Sequence, residues 1–451
     1  MPAQRIQAER GGPVVSAERV GRAVPAGRIA RLARLGGVAT GVAAGVAGRG
    51  IGQLARGHRP RLQDLVLTPG NLARFADELG RMRGAAMKMG QLLSMDAGDL
   101  LPKELADILA RLRADADPMP PKQLRRVLDE AWGTGWLKRF RRFDVRPIAA
   151  ASIGQVHKAE LKDGRRLAIK VQYPGVRRSI DSDVSNVGAL IRWSGLLPQG
   201  TDIEPLLAEA RRQLHEEADY AREAEQVAAF SRLLAGDPDF AVPAPELSLT
   251  TENVLAMDFV PGGPIEAQAD APQAVRDRIG RLLLGLLLRE VFDFGLVQTD
   301  PNFANYRYDA DSARVVLLDF GAARAYAPER VTPFRTMLRG CLTDDRAAMR
   351  EAATSLGYIG PETAERHAEQ VLALIDLVAS RFRTGGEIDF ASDDTAARLR
   401  DAGMALGADD GYADVPAMDT LYMQRKVAGM YLLVSRLKAR VDVRSLAEAY
   451  L

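Results

Sequence analysis

Three side chains past the middle of the chain have the types and spacing that phosphate chemistry requires. In VQTDPNFANYRYDADSARVVLLDFGAAR, residues 297–324, Asp300 is followed by Asn305 and then by Asp319. A carboxylate and an amide offer hard oxygen ligands to a divalent cation, and a second carboxylate can orient an attacking hydroxyl. Asp319 opens an Asp-Phe-Gly turn behind the apolar run VVLL, which reads as a strand. Phosphoryl transfer also needs a cationic side chain near the phosphates and a group to hold it. Lys170 closes LAIK, where strand alternation points Ala168 and Lys170 to one face. The charged stretch HEEADYAREAEQ follows, and it places Asp219 and Glu223 as i, i+4 neighbours with Glu217 further round. One of Glu217, Asp219 and Glu223 is the expected partner of Lys170, while Glu216 and Glu225 read as a solvated face.

The elements that must position these groups are legible from periodicity. Residues 1–62 form a basic arm: eleven arginines precede position 62 against only Glu9 and Glu18. Within it RIARLARL alternates an apolar and a basic face, and Gly37, Gly41 and Gly45 follow at small-residue spacing. Asn71 caps a helix whose apolar positions run from Leu72 to Leu93 in steps of three and four. A second helix begins at Leu101-Pro102, and DADPMPP ends it. Strand-like segments FRRFDVRPI, QVHKAEL and RLAIKVQY come next, the last two joined by the turn Lys162-Asp163-Gly164. A long charged helix is expected from about Ile203 to Leu234 and a strand at NVLAMDFV. From Pro272 the pattern is almost wholly helical apart from the opening segment and VVLLDF.

Composition narrows the alternatives. A chain of 451 residues, 47% apolar and 27% charged, can bury the core of two lobes. The single cysteine, Cys341, excludes an internal disulfide or a cysteine zinc cluster, and four scattered histidines offer no histidine metal site. No run approaches the ~18 apolar residues of a membrane span. LGGVATGVAAGVAG, residues 35–48, lacks the leucine core of a signal peptide. The arginines of the arm have no interleaved aromatics, which argues against nucleic acid as a partner.

Protein kinases space a catalytic Asp, a metal-binding Asn and a metal-binding Asp in this way, but here Gln298-Thr299 stand where His-Arg usually precedes the first Asp. More specific motifs accompany them: KMGQ at Lys88 to Gln91, AAASIGQVH at Ala149 to His157, Glu217-Ala218-Asp219, and QTDPNFAN at 298–305. With these the sequence resembles the UbiB family of atypical kinases and ATPases, also called the aarF-domain family, whose members support ubiquinone biosynthesis. The resemblance runs from about Asn71 to the C-terminus, and QTDPNFAN is closer to the mitochondrial-type branch.

The resemblance implies an α+β, bilobal protein-kinase-like fold. Its parts are the arm (1–62), a helical extension packed over the cleft (63–135), a kinase-like N-lobe (136–262) and a helical C-lobe (263–451). It implies an atypical kinase or ATPase that binds ATP or ADP with Mg2+ and supports ubiquinone biosynthesis. Lys170, paired with Glu223, contacts phosphates; Asn305 and Asp319 hold metal; Asp300 orients a water or small hydroxyl. Ala149, Ala150, Ala151 and Ser152, with Gly154, replace a glycine loop, putting methyls where bare backbone usually approaches phosphates. Met257, Asp258 and Val260 line the adenine side. Lys88 and Gln91 are expected near Glu217 and Asp219 as regulatory groups that obstruct a peptide substrate. Ala327-Pro328-Glu329 lies too close to Gly321 for a peptide-docking loop. The implied partners are anionic membrane lipid and quinone-biosynthesis proteins, the implied place cytoplasmic and peripheral at the inner face of the cell membrane. A small-molecule or lipid kinase, and a non-catalytic scaffold switched by nucleotide, are the rival readings. No sequence feature specifies an oligomeric state.

Overall fold

The computed structural model describes residues 118–151, 153–194, 203–409, 411–412 and 414–451. The arm, the helix expected from Asn71, Lys88, Gln91 and Ser152 lie outside the described residues.

Helix α1 (Pro121–Trp132) starts with proline in its first turn, where the missing N–H costs nothing, and presents Leu124, Val127, Leu128 and Trp132 on one buried face. Strands β1 (Phe140–Phe143), β2 (Ala149–Ala150), β3 (Gly154–Leu161) and β4 (Arg166–Gln172) follow. Gly164, at φ 90°, closes the β3–β4 hairpin at the expected turn. Helices α2 (Val176–Ser194), α3 (Glu204–Glu217) and α4 (Tyr220–Leu233) precede β5 (Phe240–Ala241) and β6 (Val254–Asp258). The antiparallel sheet has the order β1-β3-β4-β6, with β2 also on β3. Alternation divides β4 between two cores. Leu167, Ile169 and Val171 pack with α1, while the opposite face, with Leu255 and Met257 of β6, meets α2, α3 and α4.

The expected continuous helix from Ile203 to Leu234 is two helices. Charge and apolar periodicity run through the break unchanged, but Asp219 leaves helical geometry (φ −96°, ψ 83°) and its carboxylate accepts the N–H of Arg222 at 3.0 Å. Asp219 is therefore the N-cap of α4 rather than a neighbour of Glu223 on a shared helix face. The cap re-aims the chain so that Glu223, in the first turn of α4, faces β4.

The second lobe is built on α5 (Gln273–Arg289), whose C-terminal end widens into a π turn at Glu290–Phe294 and stops at Gly295 in the left-handed region (φ 58°). Short strands surround it: β7 (Gly263–Pro264), β8 (Leu296–Gln298), β9 (Tyr306–Asp309), β10 (Arg314–Leu317), which is the strand expected at VVLLDF, and β11 (Ala323–Ala325). They form a sheet of order β5-β10-β9-β7 and a β8–β11 pair. Helices α6 (Pro328–Thr343), α7 (Arg346–Ser355), α8 (Glu365–Arg383), α9 (Thr395–Gly407), α10 (Met418–Arg436) and α11 (Val443–Glu448) complete the lobe, with the pair β12 (Ile388–Asp389) and β13 (Arg440–Val441). The main core gathers Leu283, Leu286, Val297, Tyr306, Phe320, Met430 and Leu433. A small sheet lobe before a larger helical lobe is the expected α+β bilobal order.

Replacing Asp219 with Ala should lower stability by about 1 kcal/mol through loss of the cap, measured by urea unfolding. Unchanged stability would remove the capping role.

Candidate active site

Lys170 and Glu223 meet across the interface of β4 and α4. The Lys170 Nζ lies 2.7 and 2.9 Å from the two Glu223 oxygens, and Glu223 is 1% exposed. Asp319 Oδ2 is 3.4 Å from the same ammonium. Burial alone pulls the Lys170 pKa down, but the Asp319 and Glu223 carboxylates outweigh it and hold the group charged. Burial pushes Glu223 up to about 7, against the pull of Lys170. Lys170 also lies 5.1 Å from the Tyr220 ring. Gly154 sits where this packing admits no side chain: a Cβ would overlap the Val171 carbonyl and come within 2.9 Å of the Tyr220 hydroxyl. The expected alanine loop is the turn of the β2–β3 hairpin, with Ala149 opposite Val156, Ala150 opposite Gln155, and the Ala151 N–H donating to Gly154 C=O at 2.8 Å.

Asp319 follows β10. Its Oδ1 accepts the Gly321 N–H at 3.0 Å, and its side chain is 40% exposed. The residues beyond it are pinned. Arg222 of α4 donates to the carbonyls of Gly321 (2.7 Å) and Ala323 (2.9 Å). Arg324 pairs with Glu216 at 2.7 Å and stacks 4.2 Å from the Tyr422 ring centre. Glu216 also accepts from Arg212 at 2.8 Å. Its expected place on a solvated face is thus corrected: it ties the end of α3 to the segment after Asp319. Glu225 is exposed as expected.

Gln298 and Thr299 bind the two acidic segments together. The buried Gln298 side chain accepts the Asp300 N–H at 2.8 Å through Oε1 and donates through Nε2 to the Asp319 carbonyl. Thr299 Oγ1 donates to Ala322 C=O at 2.8 Å. Asn305 Nδ2 reaches the Asp300 carbonyl (3.2 Å) and Oδ2 (3.3 Å), and the Asn305 carbonyl accepts the Leu318 N–H at 3.1 Å. Asp300, Asn305 and Asp319 are thereby brought into one cluster. Turning Nδ2 toward Asp300 leaves the Asn305 amide oxygen as an acceptor. With the Asp319 carboxylate it makes an oxygen donor set suited to a hard cation such as Mg2+. Among the described residues no group of three His, Cys, Asp or Glu side chains is arranged around a metal position, so such a cation would rely on amide and phosphate oxygens as well.

Helix α10 supplies groups that motif spacing did not reveal. Arg425 Nη2 donates to Asp300 Oδ1 at 2.7 Å. The next residue, Lys426, is fully buried; its Nζ is 2.7 Å from Glu290 and 3.1 Å from the Tyr306 hydroxyl. Burial raises the Glu290 pKa, with Lys426 opposing; burial pulls Lys426 down, but Glu290 and Tyr306 together hold it above its usual value. Gly429 lies directly under Pro301, whose ring a Cβ would overlap. One helix face thus holds Asp300, undergirds Pro301 and anchors Tyr306.

Where the adenine side is expected, β6 ends at Asp258, short of Val260. The amides of Asp258 and Phe259 already donate to Ala244 and Arg166 at 2.9 Å each, and Met257 faces the core. Glu217 ends α3 and lines a small recess with Thr299, Gly321, Tyr422 and Arg425.

Residues 111–353 match the family model described as the ABC1 atypical kinase-like domain. The chain belongs to that family. Its relatives include the atypical kinase COQ8, mitochondrial, of Saccharomyces cerevisiae, 37% identical over 91% of this chain and 82% of that protein. The atypical kinase COQ8B, mitochondrial, of Rattus norvegicus is 39% identical over 84% of this chain and 72% of that protein. Among solved structures, a complex of Rv3197 with erythromycin from Mycobacterium tuberculosis superposes with a TM-score of 0.58 at 26% identity, covering 83% of this chain and 93% of that one. An ABC1 atypical kinase-like chain is an enzyme of the kinase and ATPase class, on an α+β kinase-like fold.

Substitutions at Gly429, Lys426 and Glu290 probe the brace. Gly429→Ala should push Pro301 and Asp300 out of position and lower nucleotide turnover roughly ten- to a hundredfold; wild-type turnover would show that the contact does not set the geometry. Lys426→Met should destabilise the chain by about 3–5 kcal/mol by stranding Glu290, and Glu290→Leu with Lys426→Met should recover most of that loss, read by denaturant unfolding.

Proposed function

We propose that the chain is an atypical kinase or ATPase that uses Mg2+ and adenine nucleotide and supports ubiquinone biosynthesis at a membrane surface. The observation that carries this reading is the convergence of Lys170, Glu223 and Asp319 at one edge of a cluster that also contains Asp300 and Asn305. In this reading Asp319 and Asn305 hold the cation and Lys170 contacts phosphate oxygens, kept in place by Glu223. When bound, the cation neutralises charge on the transferred phosphoryl group. Asp300 orients a water or small hydroxyl, its carboxylate held by Arg425. Ala149, Ala150, Ala151, Ser152 and Gly154 lie over the phosphates, and Val260 is the adenine-side donor left after the amides of Asp258 and Phe259 have bonded to Ala244 and Arg166.

A small acceptor is favoured over a peptide because the segment after Asp319 is short and held by Arg222 and Arg324. Lys88 and Gln91, set over Glu217 and Asp219 as the family resemblance implies, would close the same side. The ubiquinone role rests on the form of QTDPNFAN and the accompanying KMGQ and AAASIGQVH motifs. Peripheral attachment to an anionic membrane, on the cytoplasmic face, rests on the arginine-rich arm; among the described residues no helix is long and apolar enough to cross a membrane. A second reading, a lipid or small-molecule kinase, is supported by the recess that Thr299 and Arg425 line beside Asp300. Transfer of labelled phosphate to a lipid or phenol would select it over hydrolysis.

Asp319→Asn should abolish Mg2+-dependent stabilisation by ATP in a thermal-shift assay, because the cation loses its charged ligand; an unchanged shift in a folded variant would refute the site. Ala151→Gly should alter the ratio of ATP to ADP affinity by letting backbone approach the phosphates. Equal changes for both nucleotides, measured by calorimetry, would remove the loop from phosphate discrimination.

A further inference from the structure

The N-lobe has a charged edge that the site does not use. The stretch WLKRFRRFDVRPI, residues 136–148, holds Lys138, Arg139, Arg141, Arg142 and Arg146 against the single acid Asp144. It also exposes three large apolar side chains: Leu137 (51%), Val145 (50%) and Ile148 (51%). The stretch lies along one margin of the N-lobe sheet, where β1 pairs only with β3.

Strict alternation in β1 would send one phenylalanine and one arginine to each face. A register irregularity between Phe140 and Arg142 prevents this. Phe140 and Phe143 both turn inward, 5.5 Å from Trp132 and 4.9 Å from Trp136 between ring centres, while Arg141 and Arg142 are both exposed. A firm aromatic base therefore carries a cationic outer surface. The pairs Arg141–Glu160 and Arg142–Asp144 have arginines 72% exposed, so water screens them and little positive potential is lost. Lys138, Arg139 and Arg146 have no carboxylate at ion-pair distance among the described residues; the Arg139 guanidinium donates only to the Trp132 carbonyl, at 3.4 Å. A nucleic-acid strand gives Leu137, Val145 and Ile148 nothing to bury against, and the rings that could stack on bases are packed on one another. Basic residues alternating with protruding aliphatic ones match a lipid interface instead.

We propose that this edge docks on an anionic lipid bilayer, with Leu137, Val145 and Ile148 entering the interface and the basic side chains meeting lipid phosphates. The inference rests on the peripheral-membrane reading and adds to the arm a contact made by the folded lobe, which holds the enzyme at a defined orientation.

The test labels Val145→Cys in the full chain with an environment-sensitive fluorophore. Cys341 is buried, and burial pushes its thiol up to about 11, so the label goes to position 145. Vesicles of phosphatidylcholine with phosphatidylglycerol should shift the emission to the blue, and phosphatidylcholine alone should not. Combined Lys138→Ala, Arg139→Ala and Arg146→Ala should weaken partitioning onto the anionic vesicles by about tenfold or more, with an unchanged melting profile as the folding control. Emission that stays water-like while the chain pellets with anionic vesicles overturns the proposal and assigns the contact to the arm. Failure to pellet, or a blue shift produced by a DNA oligonucleotide and not by vesicles, overturns it as well. Stabilisation by Mg2+-ATP, measured on the same sample, tests the nucleotide reading separately.

Discussion

A lysine and a glutamate taken out of water together set the terms for everything else in the N-lobe. Either charge buried alone is strongly unfavourable, so Lys170 and Glu223 are stable only where each meets the other. The requirement reaches outward. It brings α4 against β4, it needs the break at Asp219 to aim Glu223, and it leaves no room for a side chain at Gly154. It also sets where Asp319 must stand, because this second carboxylate shares the same ammonium.

The segment after Asp319 obeys a related logic. Arg222 sits one position before Glu223, so the turn of helix that carries the buried glutamate also grips the carbonyls of Gly321 and Ala323. Gln298 and Thr299, standing where a kinase usually has His-Arg, spend their side chains on the same joint. Orientation of the helix and of the turn after Asp319 is thus one mechanical problem with one solution.

The parts of the site readable in the sequence were those whose chemistry is repeated locally. Lys170 sits in an alternating strand, Asp300 and Asn305 lie within one short segment, and Asp319 follows an apolar run; none is informative alone, and it is their order along the chain that marks the site. The interior of HEEADYAREAEQ misled because hydrophobic periodicity survives a helix break; only the capping preference of Asp219 hinted at it. Glu216 read as solvated because Arg324, its partner, is far away in sequence. Arg425, Lys426, Glu290 and Gly429 carried no local signal at all. A glycine and two basic residues in a helix look ordinary until the fold places them under Pro301, Asp300 and Tyr306. Within the edge at residues 136–148 the segment FRRFDVRPI reads as a strand, and its charge becomes meaningful only once the irregularity in β1 sets both arginines outside.

The dependence of Asp300 on α10 has a bearing on what counts as the working unit. The recognisable kinase-like domain ends at residue 353, while the helix that braces its central carboxylate spans Met418–Arg436. A fragment cut at the domain boundary would keep every signature motif and yet lose the guanidinium beside Asp300, the ammonium beside Glu290 and the floor beneath Pro301. Motif content and catalytic competence therefore have different lengths in this chain. Grafting the motif-bearing part onto another protein would transfer its appearance without its support.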